Sequence, residues 1–431
     1  MNAPQKSAAR APLMSLDAAM ADLLGRVEAL TAVETVATFD ADGRVLAEDL
    51  VSALQVPPND NSSMDGYAVR VADVTETGVV LRVSQRIAAG HAAQPLEPGT
   101  CARIFTGAPM PEGADAVVMQ EDTVEVGGDI HAVHIQAVPE AGQWVRRAGE
   151  DVTRGAVVLA RGQRLAPSGL GLAASLGRAR LSVKVRPRVA LFSTGDELVM
   201  PGEVAPEAMK PGAIYNSNRF FLRALLHRMG CEVSDLGIVP DRREATLAAL
   251  KTAADHHDLI LTSGGVSVGE EDHIKPSVQQ LGSLDLWQIG MKPGKPFAYG
   301  SVRRDAGAGP AASTPCHFIG LPGNPVSSFV TFLLLVRPFL LKLQGVPVDG
   351  VHALPPPVKL PAHFSVARAD KRREFLRVRR NAAGGLDLFP NQSSGVLTSA
   401  VWGDGLVDNP AGTTIARGDL VSYLSFSDLL A

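Results

Sequence analysis

A chain of 431 residues, 45% apolar and 20% charged, has the make-up of a folded protein too long for one core, with room for about two to four domains. Its formal charge of -4 builds no basic field, which argues against nucleic acid and anionic membranes as partners. The three cysteines, Cys101, Cys231 and Cys316, lie far apart without zinc-like spacing and fit reduced thiols in a cytoplasmic protein.

The first residues, MNAPQKSAARAPLM, hold no apolar core with a cleavage site and read as a frayed lead-in. SLDAAMADLLGRVEAL (15–30) predicts an amphipathic helix with Ser15 as N-cap, and its expected partner is a second helix over 164–177, opened by Pro167 and closed by Gly177. Gly169 to Ala174 match a dinucleotide fingerprint, but Ala166-Pro167-Ser168 stands where the strand should be, so no such site is expected. Residues 15–55 and 152–183 together make a discontinuous helical/β connecting domain. Between them, 56–151 carries the β-type runs GVVLRVSQRI, TCARIFTGAP, DAVVMQEDTV and HAVHIQAV, with turn signals about every 8–12 residues, and predicts an inserted all-β domain.

From 184 to 346 the grammar changes to alternating strands and helices. RVALFS, EVSDLGIV, DLILTS, LDLWQIGM and PCHFIGL read as strands; 216–230, RREATLAALKTAAD, HIKPSVQQLG and PVSSFVTFLLLVRPFLLKL read as helices. That alternation predicts a doubly wound, mostly parallel sheet. No H-E-x-x-H occurs, and His256-His257 are expected as solvated helix-end residues. The longest apolar run, 328–336, stops at Arg337-Pro338, short of the ~20 residues of a membrane span, and predicts a buried helix. Residues 347–431 begin at the Pro355-Pro356-Pro357 cluster and read as short strands broken by glycine turns, a C-terminal β-barrel. The chain is multidomain, α/β plus β.

In an open parallel sheet, ligands bind at the carboxyl ends of the strands. There the predicted strands run into Ser193-Thr194-Gly195-Asp196-Glu197, Pro240-Asp241, Ser263-Gly264-Gly265 and Leu321-Pro322-Gly323-Asn324-Pro325-Val326-Ser327-Ser328. Glycines let backbone amides approach an anion closely. The carboxylates Glu197, Asp241 and Asp272 on the same edge would repel a phosphate by about 4 kcal/mol at 4 Å and an effective ε of 20. A divalent cation, Mg²⁺ or a similar ion, removes that conflict. Lys292 and Lys295, on a Pro-Gly-framed loop, suit a phosphate or another oxyanion. Taken singly, Glu270-Glu271-Asp272 is a solvated helix start, K-P-G-K-P a turn, and Asp196-Glu197 a cap. Their convergence on one sheet edge favours a site. Gly265 to Gly269 also match the G-x-S-x-G of a nucleophile elbow. None of His317, His352 and His363 stands in a loop after a strand, however, and the acidic triplet would oppose an oxyanion. Ser267 is therefore expected to donate to a bound anion.

PPNDNSSMDGYAVR (57–70), RIFTGAPMPEGADAVVMQE (103–121), RRAGEDV (146–152) and STGDEL (193–198) are followed by SGGVSVGEEDHIK (263–275), MKPGKPFAYG (291–300), GLPGNPVSS (320–328) and NQSSGVLTSA (391–400). In that order the chain resembles the MoeA-type molybdopterin molybdenumtransferases, relatives of the gephyrin C-terminal domain. The resemblance implies a homodimer of four-domain protomers with sites formed between chains. It implies the reaction of adenylated molybdopterin with molybdate to give molybdenum cofactor and AMP, with Mg²⁺ or another divalent cation. By motif position it makes Asp241 and Asp272 the acids for metal and pyrophosphate, and Glu197 a further acid. Gly264, Gly265, Ser267, Gly269, Lys292, Lys295, Pro296, Asn324 and Ser327 line the anion and pterin region. Arg373 and Ser394 contact molybdate, with Arg372 and Ser393 as the alternatives, and Asp60, Thr106 and Asp151 act across the dimer, or else serve turns and caps. Glu270 and Glu271 stay unassigned. Expected partners are a second copy, the molybdopterin adenylyltransferase, and molybdoenzyme apoproteins or their chaperones. The rival readings are adenylyl transfer to molybdopterin and a non-catalytic dimeric scaffold.

Overall fold

The computed structural model describes residues 13–126, 129–265, 273–305, 314–350 and 353–430. They fall into two compact units: Met1–Ala47 with Gly162–Ala166 and Leu181–Ala431, and Glu48–Arg161 with Pro167–Arg180.

The second unit is built on a six-stranded sheet, in the order Ala116–Met119, Gly66–Val69, Thr100–Ile104, Val79–Ile87, Asp129–Ile135, Thr123–Val126. Its pairs are antiparallel except Val79–Ile87 with Thr100–Ile104. Side-chain alternation gives the sheet two apolar faces. Tyr67, Val69, Leu81, Val118 and Val133 pack on one, and Ala68, Ile87, Ile104 and Val117 on the other. Helix Pro167–Ser175 belongs to this unit.

The first unit opens with helix α1 (Leu16–Gly25), capped by the Ser15 hydroxyl, which accepts from the Ala18 amide. Its sheet contains strands β1 (Arg188–Thr194), β2 (Glu232–Val239), β3 (Leu259–Ser263), β4 (Gly282–Gln288), β5 (Pro296–Val302) and β6 (Cys316–Leu321). Helices α2 (Asn218–Arg228), α3 (Arg243–His256) and α4 (Ile274–Leu281) alternate with them, and α5 (Pro325–Thr331) and α6 (Arg337–Leu343) follow. Every residue of β3, and all of β1 but Arg188, is buried, as central parallel strands require. The order is β2-β1-β3-β6-β5-β4. Strands β2, β1, β3 and β6 are parallel, while β5 is antiparallel to both β6 and β4. Strand β5 has no counterpart among the strands read from the sequence. The short 289–295 connection can only turn the chain back on itself, so β5 is reversed.

Alternate residues of the central strands face opposite layers. Val189, Leu191, Leu259 and Leu261 meet Leu222 and Leu226 of α2, and Ala190, Phe192 and Ile260 meet Leu250 and Ala253 of α3. Helix α1 stops at Gly25 rather than residue 30, and it packs on α6. Lys342 donates to the Leu24 carbonyl at 2.6 Å there. His257, expected in solvent, is buried against the Ala253 carbonyl, and burial lowers its pKa. Pro325–Leu343 runs on past Arg337-Pro338 as one 19-residue helix, long and apolar enough to cross a membrane but 89% buried in the fold. Pro338 has no N–H for the carbonyl four residues back, and a π-turn (Phe332–Val336) widens the helix just before it.

Strands β7 (Val358–Pro361), β8 (Arg373–Arg380), β9 (Leu386–Leu388), β10 (Gly405–Asn409) and β11 (Leu420–Ser425) complete the unit. They run β9-β8-β10-β11-β7 in antiparallel ladders, and an Ala362–Leu386 bridge joins the end of β7 back to β9. Met291–Lys292 pairs in parallel with the first residues of β8, Arg373 and Glu374, on the side that β9 takes farther along.

Truncating Leu261→Ala in β3 should cost about 2–5 kcal/mol. Val401→Ala, at a side chain 81% exposed, should change stability by less than about 0.5 kcal/mol. Denaturant midpoints of the two variants check this contrast.

Candidate active site

Strand β1 leads through α2 to β2 on one side, and the chain then crosses back to β3 on the other. This reversal leaves a crevice at the carboxyl ends of β1 and β3. Gly195 follows β1 at φ 142°, and a Cβ there would collide with the Glu197 carboxylate. The Glu197 carboxylate is thus folded over the end of β1, in room that only glycine leaves. Gly264 and Gly265 follow β3 at φ 93° and 68°, and a Cβ on Gly265 would meet Ile274 Cγ1 at 2.6 Å and Thr194 Oγ1 at 3.1 Å. The two loops touch.

Asn218 fastens a third loop to them. Its buried carboxamide donates to Ser263 Oγ at 2.8 Å and to the Gly323 carbonyl at 2.7 Å. The Gly264 amide donates to the Leu321 carbonyl at 3.0 Å, and Ser328 Oγ lies 3.3 Å from Ser263 Oγ. Asn324 is the N-cap residue of α5, and Ser327 is buried in its first turn. The Val326 amide donates to the Ser394 carbonyl at 3.0 Å, which brings the NQSSG loop to the same edge. Asn216, Ser217 and Asn218 all stand where a helix start offers them as caps. Both asparagines are buried; Asn216 accepts from the Arg219 amide, while Asn218 donates to the two loops.

The 289–295 loop reaches this edge too, because Pro296 starts β5 opposite Gln288, the last residue of β4. Lys292 Nζ donates to Glu374 Oε1 at 2.9 Å and to Asp370 Oδ2 at 3.3 Å. The hydrogen bond to Glu374 is the main cause that raises the Lys292 pKa. Arg372 binds Asp370 through its backbone amide and two guanidinium nitrogens and holds that carboxyl far below the usual range. Arg373 makes a bidentate pair with Asp408, at 2.7 and 2.6 Å, and reaches Asp17 at 2.9 Å. The Lys295 carbonyl accepts from the Ile289 amide. Asp241 lies two residues past the end of β2, on the same edge. Ser267, Gly269, Glu270, Glu271 and Asp272 lie outside the described residues. Among the described residues no cluster of three or more metal-ligating side chains occurs. The carboxylates of the edge are nonetheless the hard oxygen donors that Mg²⁺ takes one or two at a time.

Residues 14–177 match the MoeA N-terminal region (domain I and II), 190–342 the probable molybdopterin binding domain, and 359–426 the MoeA C-terminal region (domain IV). A molybdopterin molybdenumtransferase of Haemophilus influenzae is 40% identical over 367 residues, 85% of each chain. One from a Nostoc species is 35% identical over 405 residues, 91% of this chain and 88% of the relative. The solved molybdopterin biosynthesis MoeA protein of Pyrococcus horikoshii OT3 superposes with a TM-score of 0.80 at 27% identity, covering 96% of this chain and all of that one. The chain belongs to the molybdopterin molybdenumtransferase family.

The motifs of this transferase family in the second unit also gather at one end. Asp60 accepts from Arg147 at 2.6 Å and from the Ala148 amide at 2.8 Å, and the amide bond is the main cause that lowers its pKa. Asp65 Oδ1 accepts from both the amide and the hydroxyl of Thr106, at 2.7 and 2.8 Å. The Asp151 amide donates to the Val56 carbonyl, the Gly149 amide to Pro57, and the Gly107 amide to Ser62. Asp65 and Arg147 escaped the sequence reading as site residues, although both stand inside the quoted motifs.

Asn218→Ala should leave Ser263 Oγ and the Gly323 carbonyl short of a donor, at about 1–3 kcal/mol. Hydrogen exchange provides the measurement: the Gly264 amide should exchange faster than in the parent, with core amides of β1 unchanged.

Proposed function

We propose that this chain transfers molybdenum from molybdate to adenylated molybdopterin, giving molybdenum cofactor and AMP. The observation that carries this reading is the convergence of the Gly195, Gly264 and Gly323 loops, Glu197, Asp241 and the Lys292 loop on one sheet edge. The family membership narrows the choice of substrate.

The chemistry follows from the arrangement. Backbone amides of the glycine loops receive the pyrophosphate. Asp241 and Asp272 would hold a divalent cation, Mg²⁺ or a similar ion, which when bound neutralises charge on the phosphoanhydride. Lys292 and Lys295 hold molybdate, and Arg373 contributes only donors left free by Asp408 and Asp17. A molybdate oxygen, or water derived from it, attacks a phosphorus of the anhydride and stays on that phosphate as the P–O bridge breaks; AMP leaves, and the molybdenum passes to the dithiolene sulfurs of the pterin. Rate enhancement comes from positioning and charge neutralisation. A second copy of the chain would complete the site with Asp60, Thr106 and Asp151.

AMP release from adenylated molybdopterin with Mg²⁺, measured with and without molybdate, tests this. Release should require molybdate, and Asp241→Asn should slow it on the order of 10²–10³-fold. Release that ignores molybdate, or a folded protein that releases none, would sink the reading.

A further inference from the structure

Lysine has three N–H donors, and two of those on Lys292 are engaged by barrel acids. The two acceptors are not equivalent. Glu374 is 5% exposed, its Oε2 has no hydrogen-bond partner among the described residues, and its Oε1 takes the shorter bond, 2.9 Å. Withdrawing Lys292 would strand a buried carboxylate, a costly arrangement. Its backbone is fixed as well, since Lys292 pairs with Glu374 in the ladder that adds Met291–Lys292 to β8. Asp370 differs on each count. It takes the longer bond, 3.3 Å, its side chain is 19% exposed, and Arg372 offers it a separate set of donors. Losing Lys292 would leave Asp370 paired.

We propose that Glu374 is the permanent anchor of Lys292 and that Asp370 is a placeholder: its carboxylate occupies the position of the incoming oxyanion and yields it on binding, withdrawing to Arg372. This rests on the reading of Lys292 as an oxyanion contact. Both acids are then positioning residues with opposite effects. Asp370 competes with molybdate for the ammonium, whereas Glu374 presents the ammonium to it.

The test is the KM for molybdate in the AMP-release assay, paired with calorimetric titration of molybdate into each folded variant. Asp370→Asn removes the competitor and should lower the KM by roughly three- to fivefold, the worth of one partly exposed ion pair. Glu374→Gln should raise it by at least about tenfold, with Glu374→Asp between Gln and the parent. Opposite signs support the placeholder. An unchanged or raised KM in Asp370→Asn overturns it, because a purely structural pair weakens binding whichever acid is lost. Absence of molybdate-dependent release in the unmutated protein would instead overturn the function proposed above, and the same assay reads that first.

Discussion

The parallel pairing of β1 with β2 on one side and β3 on the other is the constraint from which the candidate site follows. A strand with parallel neighbours on both sides forces the chain to leave in one direction and return in the other, and the gap this opens lies at the carboxyl ends. Burial of both faces of β1 and β3 fixes that pairing. The glycine loops that follow need only be short and permissive, because the strands already aim them at one another. Asn218 then closes the gap between the β3 and β6 loops with one carboxamide.

Three of the cations near this edge are held by carboxylates. Lys292 is bound by Glu374 and Asp370, Arg373 by Asp408 and Asp17, and Arg372 by Asp370. Arg377 is buried enough that its pKa is pushed down to about 10, and it donates to Ser399 Oγ and to the Phe375 and Ser393 carbonyls. Its role follows from those partners: it pins the loop that carries Ser394 against the barrel wall. An edge lined with unpaired cations would collect any anion. Paired cations answer only to a ligand that outcompetes the internal carboxylate, so they favour selectivity over bare affinity.

What could be read from the sequence follows locality. Strands β1 and β3 show as apolar runs ended by glycine because a strand buried on both faces needs nothing else. The carboxyl-edge acids and lysines follow from those strand ends. Features set by distant partners could not be read. Met291–Lys292 adds to a barrel strand whose Glu374 stands 82 positions later, and Arg373 pairs with Asp17 across 356. The strand that begins at Pro296-Phe297 looks like the tail of a turn until β6 pairs with its Ala298–Val302 stretch. Asn218 and Asn216 share a capping signature and are both buried, and only their partners in the folded chain separate the residue that caps from the one that ties loops together. His257 looks like its exposed neighbour His256 for the same reason.

The direction of the pKa shifts constrains the kind of chemistry. Asp60 is held low by the Ala148 amide and Asp370 by Arg372, while Lys292 is held high by Glu374 and Arg373 by Asp408. Each of these groups is moved away from neutrality, so each is in its charged form around neutral pH. A general acid or base requires the opposite, a pKa drawn toward the working pH. Groups locked in their charged forms can orient an anion, offset its charge and exclude competitors, but they do not relay protons. Such a set matches phosphoanhydride cleavage with a loose transition state, where little covalent work falls to the protein and placement governs the rate.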